Sequence, residues 1–251
     1  MIRLKTKIKN TNAACYALCV TANRPPKLES YRSADVAQSY DKRWSGLVGA
    51  RRDARKVRAL THALAALAKL GKSNEQTSAG GNHQNSAEIC TLLDAPCGTG
   101  RFSKWLTAAY TYTGLDLSPA MLAEAQAKAP AAHFMTGDMA SLPFADHAFD
   151  AAICIRLLHL VREPKLRIQF LRELNRVSTH GVIIDYRHRH TFRIWGRHLR
   201  HKLGLRDRAP SNPSMAQIHD EINAAGLTAR KLIHVHRAPF LSDKVLIVAT
   251  R

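Results

Sequence analysis

Between residues 89 and 186, five short apolar runs alternate with stretches of helical periodicity about ten residues long. Few folds accommodate that alternation. The runs are residues 89–93, 112–115, 133–136, 149–155 and 182–186, and the helical stretches are 101–109, 119–128 and 165–177. A strand, a helix and a further strand in succession form a crossover unit, which produces parallel strands with helices packed on the sheet. Downstream, residues 215–225 read as a helix stopped by Gly226. Two strands follow, 229–236 and 244–249, joined by a short Pro-containing turn. A connection that short makes the last pair antiparallel. The expected fold class is therefore α/β: a doubly wound, mostly parallel seven-stranded sheet with an antiparallel last strand and helices on both faces. A chain of 251 residues suffices for one such domain.

The sequence before this pattern has a different texture. Residues 1–28 hold six basic side chains and no acidic one, and are expected to be a basic tail. A short apolar stretch within them faintly resembles a targeting peptide but lacks a leucine-rich segment. Residues 29–70 read as an N-terminal helical cap, with a break around residues 46–49. Val57, Leu60, Leu64, Leu67 and Leu70 recur every three or four positions and form one apolar stripe. Residues 71–88, rich in Gly, Ser, Asn and Gln, are expected to be a flexible loop, leaving 89–251 as the core. The five cysteines show no Cys-x-x-Cys spacing, so no metal site is expected and a reducing cytoplasmic compartment is the simpler reading. No apolar run is long enough for a transmembrane helix.

Three segments carry candidate site residues. The first is Leu92-Leu93-Asp94-Ala95-Pro96-Cys97-Gly98-Thr99-Gly100, a strand entering a glycine-rich turn before a helix. Gly98 and Gly100 permit backbone geometry and close ligand approach that a Cβ would obstruct, although an ordinary tight turn has the same composition. The second is Asp116, 22 residues beyond Asp94 at the end of the next strand. An acid there can accept hydrogen bonds from ribose hydroxyls, or can simply help cap the helix that Ser118 and Pro119 begin. The third is Gly137-Asp138-Met139, where a carboxylate beside an apolar side chain suits an adenine ring.

In this order and spacing, the segments resemble class I (Rossmann-like) S-adenosylmethionine-dependent methyltransferases. The nearest texture is the branch acting on small molecules and lipids, including the ubiquinone and menaquinone methyltransferases. The stretch TGLDLSPAMLAEAQAKAP looks like that branch's second-strand motif, and GDMASLPFADHAFDAAIC like its third-to-fourth-strand motif. The resemblance implies S-adenosyl-L-methionine as cofactor. By it, Asp94, Pro96, Gly98 and Gly100 line the methionine end, Asp116 with Leu117 the ribose, and Asp138 with Met139 the adenine. Cys154 and Ile155 pass beneath the sulfonium. Two departures stand out. Pro96 occupies the position of the family's first glycine, and Ser178-Thr179-His180-Gly181 replaces a Pro-Gly-Gly turn before the fifth strand.

Methyl transfer from a sulfonium is an in-line displacement in which positioning supplies much of the acceleration. His159, five residues past Cys154, is the candidate base or substrate contact, or else a histidine packed under the next helix. Arg156 can meet an anionic substrate or only solvent. Tyr40 and Trp44, with Tyr31, can close the other side of the pocket or anchor a core; Tyr40-Asp41-Lys42-Arg43-Trp44 also looks like bacterial methyltransferases of envelope glycolipid synthesis. The Asn/Asp-Pro-Pro-aromatic motif of amino-group methyltransferases and the Pro-Cys nucleophile of cytosine-C5 enzymes do not stand after the fourth strand.

Residues 187–208 carry eight Lys or Arg, four His and one acid. Phe192, Trp195, Leu199 and Leu203 recur there at helical spacing, so a basic amphipathic helix is expected as an insertion, with Trp195 a candidate substrate contact. Such a helix can lie on an anionic membrane surface, clamp an anionic lipid, contact RNA phosphates, or pack on its own domain as a lid. The net charge of +19 likewise points to anionic surroundings without choosing among them. The leading expectation is a methyltransferase acting on a small-molecule or lipid-linked acceptor, anionic and methylated at oxygen, in the cytoplasm with a membrane-surface contact. An RNA methyltransferase and a non-catalytic binding protein on the same fold are the alternatives.

Overall fold

The structure, a computed structural model, describes residues 33–44, 46–76, 88–207, 212–236 and 242–251. The basic tail, Tyr31 and the turn joining the last two strands lie outside the described residues, as does most of the expected loop. A short helix α1 (Ala34–Tyr40), with Ser33 as its N-cap, runs into a 3-10 turn (Asp41–Trp44) and then the long helix α2 (Gly46–Gln76). The remaining elements are β1 (Thr91–Asp94), α3 (Ser103–Thr107), β2 (Thr111–Asp116), α4 (Pro119–Lys128), β3 (His133–Thr136), β4 (Phe149–Cys154), α5 (Pro164–Val177), β5 (Ser178–Arg187), α6 (Phe192–Lys202), α7 (Met215–Ala224), β6 (Thr228–His234) and β7 (Lys244–Thr250).

The strands form one seven-stranded sheet in the order β3-β2-β1-β4-β5-β7-β6. All pairs from β3 to β5 are parallel, and β7 runs antiparallel to both neighbours. The order in which strands are added reverses between β1 and β4, and at such a switch point the connecting loops diverge and leave a crevice at the carboxyl edge.

Side-chain alternation decides which helices cover which face. Val182, Ile184 and Tyr186 of β5, with Val245 and Ile247 of β7, join Leu171 and Leu174 of α5 and Ile218 and Ile222 of α7. Ile183, Leu246 and Val248 point the other way and join Leu60, Leu64 and Leu67 of α2 with Leu106 of α3. Burying a side chain of this size contributes roughly 1.5–3 kcal/mol, so the two clusters hold the layers together. Helix boundaries follow from local chemistry. Ser118 accepts from the Met121 amide at the start of α4, and Ser214 and Gln217 form a reciprocal capping box on α7.

Three expectations need correction. Residues 71–76 continue α2: once a long helix is anchored by packing, adding polar residues to its end is inexpensive. The apolar stripe of α2 packs on the sheet, so residues 29–70 are not a separate cap; among the described residues of that stretch Tyr40, at the end of α1, lines the crevice. Finally, Ser178–Gly181 is strand rather than turn. The register between β4 and β5 shifts there, and Gly181 sits at φ +139°, where a Cβ would meet the carbonyl oxygen of Ala249. Among the described residues no helix is long and apolar enough to cross a membrane.

Candidate active site

The crevice at the carboxyl edge is a cavity holding about 1150 Å³ of empty space, its open mouth included. The turn after β1 forms its floor. Cys97 donates its amide to the Leu115 carbonyl at 2.9 Å and Gly100 donates to Cys97 at 3.1 Å, which folds the turn back on β2. Gly98 and Gly100 both have positive φ, 57° and 63°. Their surroundings differ. Nothing lies within 4 Å of the place a Gly98 Cβ would occupy, so this backbone is open to a ligand. At Gly100 a Cβ would come within 2.7 Å of Ala125 Cβ, so this glycine serves the contact with α4 and not the cavity.

Asp116 links the strand tips. Its Oδ2 accepts from the Gly98 amide at 2.9 Å, its Oδ1 accepts from the Ser118 amide at 2.9 Å, and its carbonyl accepts from the Gly137 amide at 3.0 Å. Burial pushes its pKa up, while these amide bonds act in the opposite direction. Each carboxylate oxygen keeps a lone pair, so Asp116 can hold the turn and still accept from a ligand hydroxyl. Asp138 accepts from the Ala140 amide at 3.0 Å, and Met139 beside it is buried along the same wall. Asp94 is the most deeply buried of the three acids. Its Oδ2 accepts from the Tyr112 hydroxyl at 3.0 Å, and its buried Oδ1 has no hydrogen-bond partner. Burial, with Asp116 adding to it, pushes Asp94 up to about 7.

A second wall of the lining comes largely from other segments. Tyr40, Arg101 and Arg156 line it, with Leu160, Leu166 and Phe170 beneath. Arg156 is held at φ +67°, an uncommon conformation for a side chain of its size, and its guanidinium lies 5.6 Å from the centroid of the Tyr40 ring. Arg101 pairs with Asp53 of α2, and burial followed by repulsion from Arg156 lowers its pKa to about 10. Behind them Lys56 of α2 meets Asp185 of β5 at 2.9 Å, both nearly buried. The N-terminal 3-10 turn is fastened across the floor. Thr99 donates to Asp41 at 2.9 Å, and Lys128 donates to both Asp41 and the Thr99 carbonyl.

Of the residues singled out in the sequence, Asp94, Pro96, Gly98, Asp116, Leu117, Asp138, Met139, Tyr40 and Arg156 line this one cavity. Four do not. Gly100 packs on Ala125. Cys154 is fully buried on the face covered by α5, because strand alternation turns Ile155 toward the cavity instead. His159 lies on the 3-10 turn Leu158–Leu160 and lines a second cavity with Arg187, Arg197, Asn212 and Asp243. Trp195 stands outward on α6, 65% exposed. The side chain of Trp44 lies outside the described residues. Arg101, Asp41 and Lys128 were missed. A basic residue directly after Gly100 was a readable signal for Arg101, whereas Asp41 and Lys128 are brought to the turn only by tertiary packing.

Residues 92–181 match a protein family described as "Methyltransferase domain". That part of the chain carries a methyltransferase domain. This domain is 39% identical over 100 residues to malonyl-[acyl-carrier protein] O-methyltransferase of Erwinia pyrifoliae, covering 39% of this chain and 37% of the relative. It is 34% identical over 132 residues to demethylmenaquinone methyltransferase of Renibacterium salmoninarum, covering 49% and 54%. The chain thus spans between about a third and a half of these relatives' lengths. Magnesium protoporphyrin IX methyltransferase from Synechocystis PCC 6803, solved with bound SAH, superposes with a TM-score of 0.60 over 89% of this chain and 97% of its own. At 18% identity that likeness shows the fold. The methyltransferase domain covers the turn, Asp116, Asp138 and Arg156, while Tyr40 and α6 lie beyond the matched residues.

Proposed function

We propose that the protein transfers a methyl group from S-adenosyl-L-methionine to a small-molecule or lipid-linked acceptor that is anionic and is methylated at oxygen. The observation that carries this reading is one cavity with two differently built walls. Asp94, Gly98, Asp116, Asp138 and Met139 form one part of its lining, and Arg101 and Arg156 with Tyr40 another. The first wall fits the cofactor. The partnerless Oδ1 of Asp94 suits its ammonium group, the open backbone at Gly98 admits its chain, Asp116 accepts from ribose hydroxyls, and Asp138 with Met139 takes the adenine.

Bound there, the cofactor supplies an electrophilic methyl carbon. The protein's part is to hold the acceptor in line with it and to keep water out, which Leu160, Leu166 and Phe170 do by making the far end of the cavity apolar. Two arginines at the acceptor side favour an anion. A carboxylate acceptor is already deprotonated at neutral pH and needs no general base. The placement of His159 in a separate cavity is in keeping with that chemistry, and His159 is not assigned a catalytic role.

Calorimetry with S-adenosylmethionine tests the cofactor half: no binding by the full chain overturns the reading. Labelled cofactor with a panel of carboxylate, phenolate and amine acceptors tests the other half. Base-labile incorporation, released as methanol, is expected from a carboxylate. Base-stable label on an amine would overturn the oxygen assignment.

A further inference from the structure

Helix α6 carries a surface that the site does not use. Thr191 caps it by accepting from the Ile194 amide, and Ile194, fully buried, anchors it to the domain. Against that anchor Phe192, Trp195, Leu199 and Leu203 are exposed by 71%, 65%, 43% and 63%. At 3.6 residues per turn these four lie within an arc of about 80°, on the side of the helix away from Ile194. Arg200 flanks the arc on one side and Lys202 on the other, and no acidic residue occurs from 187 to 206.

An amphipathic helix on a domain surface ordinarily turns its apolar stripe inward. Here the order is reversed: among the described side chains of α6 only Ile194 is buried, and the stripe faces out. We infer that α6 docks the protein on an anionic lipid bilayer, the apolar stripe entering the headgroup–acyl boundary and the flanking cations meeting lipid phosphates. Charge decides among occupants. A second copy of this chain would bring an equally cationic helix against the first. A nucleic acid strand would use the cations and leave the large aliphatic side chains in water. A bilayer surface satisfies both rows, and Trp belongs at that boundary.

Docking also has a geometric meaning. Arg197, on the same helix, lines the second cavity with His159. The stretch 155–161 contributes to both cavities, Arg156 and Leu160 to the first and His159 and Val161 to the second. A bilayer held at α6 would keep the domain at the surface where a lipid-linked anion resides. In this purpose the inference rests on the proposed methyl transfer, but the vesicle contact itself is measurable without it.

The test is co-sedimentation of the full chain with vesicles of equal parts phosphatidylglycerol and phosphatidylcholine, beside vesicles of phosphatidylcholine alone. Binding to the anionic vesicles is expected to be at least about tenfold tighter. The double variant Trp195→Ser/Leu199→Ser is expected to lose about tenfold or more of that binding, and Arg200→Glu/Lys202→Glu a comparable amount. Both should keep their melting temperature and cofactor affinity, because every changed side chain is exposed. Failure of the intact chain to bind anionic vesicles, or equal binding by the serine variant, overturns docking. So does a concentration-dependent dimer or an RNA complex that the serine variant abolishes while vesicle binding stays. An intact chain that binds S-adenosylmethionine but not anionic vesicles removes the docking inference alone. Vesicle binding retained by a chain that binds no S-adenosylmethionine sustains docking and removes methyl transfer.

Discussion

The two walls of the crevice are stabilised in different ways. The wall with the acids is made by consecutive strand tips that bond to one another, Gly98 to Asp116 and Gly137 to Asp116, so its geometry follows directly from the sheet. The other is assembled from distant segments: Tyr40 from before the sheet, Arg101 braced by Asp53 on α2, and Arg156 in a left-handed conformation just past β4. The first is self-supporting, and the second depends on α2 being held in place. An invariant chemistry on a rigid frame can thus be paired with an acceptor side free to vary.

The largest effect should come from the brace. Lys56→Met leaves the Asp185 carboxylate buried without its cation, and is expected to destabilise the fold by about 3–5 kcal/mol, read by denaturant titration. Little change would mean that the acceptor side is as self-supporting as the other. Next comes Asp116→Ala, which removes the acceptor of two amides and of the proposed ribose contacts. Cofactor affinity should fall about a hundredfold by calorimetry. Arg156→Gln addresses only the acceptor side: a rise in KM for an anionic acceptor of about tenfold is expected, with cofactor affinity unchanged. A loss shared equally by both ligands would dissolve the division.

A smaller effect is expected from pH. Folded Asp94 holds its proton to about pH 7, against an ordinary value of 3.8. The stability it contributes is therefore full below about pH 4 and lost as pH rises toward 7. A cationic ligand favours the carboxylate, so cofactor binding should release a proton near pH 6 and tighten roughly several-fold between pH 6 and 8. Asp94→Asn should remove both effects, as measured by calorimetry in buffers of different ionisation enthalpy. The smallest change is expected for His159→Gln, with kcat within about twofold of the parent, since the side chain faces another cavity.

What could be read from the sequence follows the same division. Strand and helix alternation placed α4 and β3 to the residue, because Ser118-Pro119 and the apolar periodicity act locally. Asp116 and Asp138 were legible because a strand tip in this topology has a fixed address. His159 and Trp195 fall outside the first cavity because orientation around a 3-10 turn or an exposed helix is set by packing, which spacing along the chain does not encode. Asp41 and Lys128, 87 positions apart, met only in three dimensions.

That meeting bears on how fast a catalytic cycle turns. Tyr40 lines the cavity, and its neighbour Asp41 is fastened to Thr99 and Lys128, so these contacts would act as a latch on a nucleoside bound as proposed. In the proposed cycle the spent nucleoside leaves and a fresh one enters only when both fastenings release. Exchange is then a gated event, and loosening the latch with Asp41→Ala would trade tighter retention for quicker replacement.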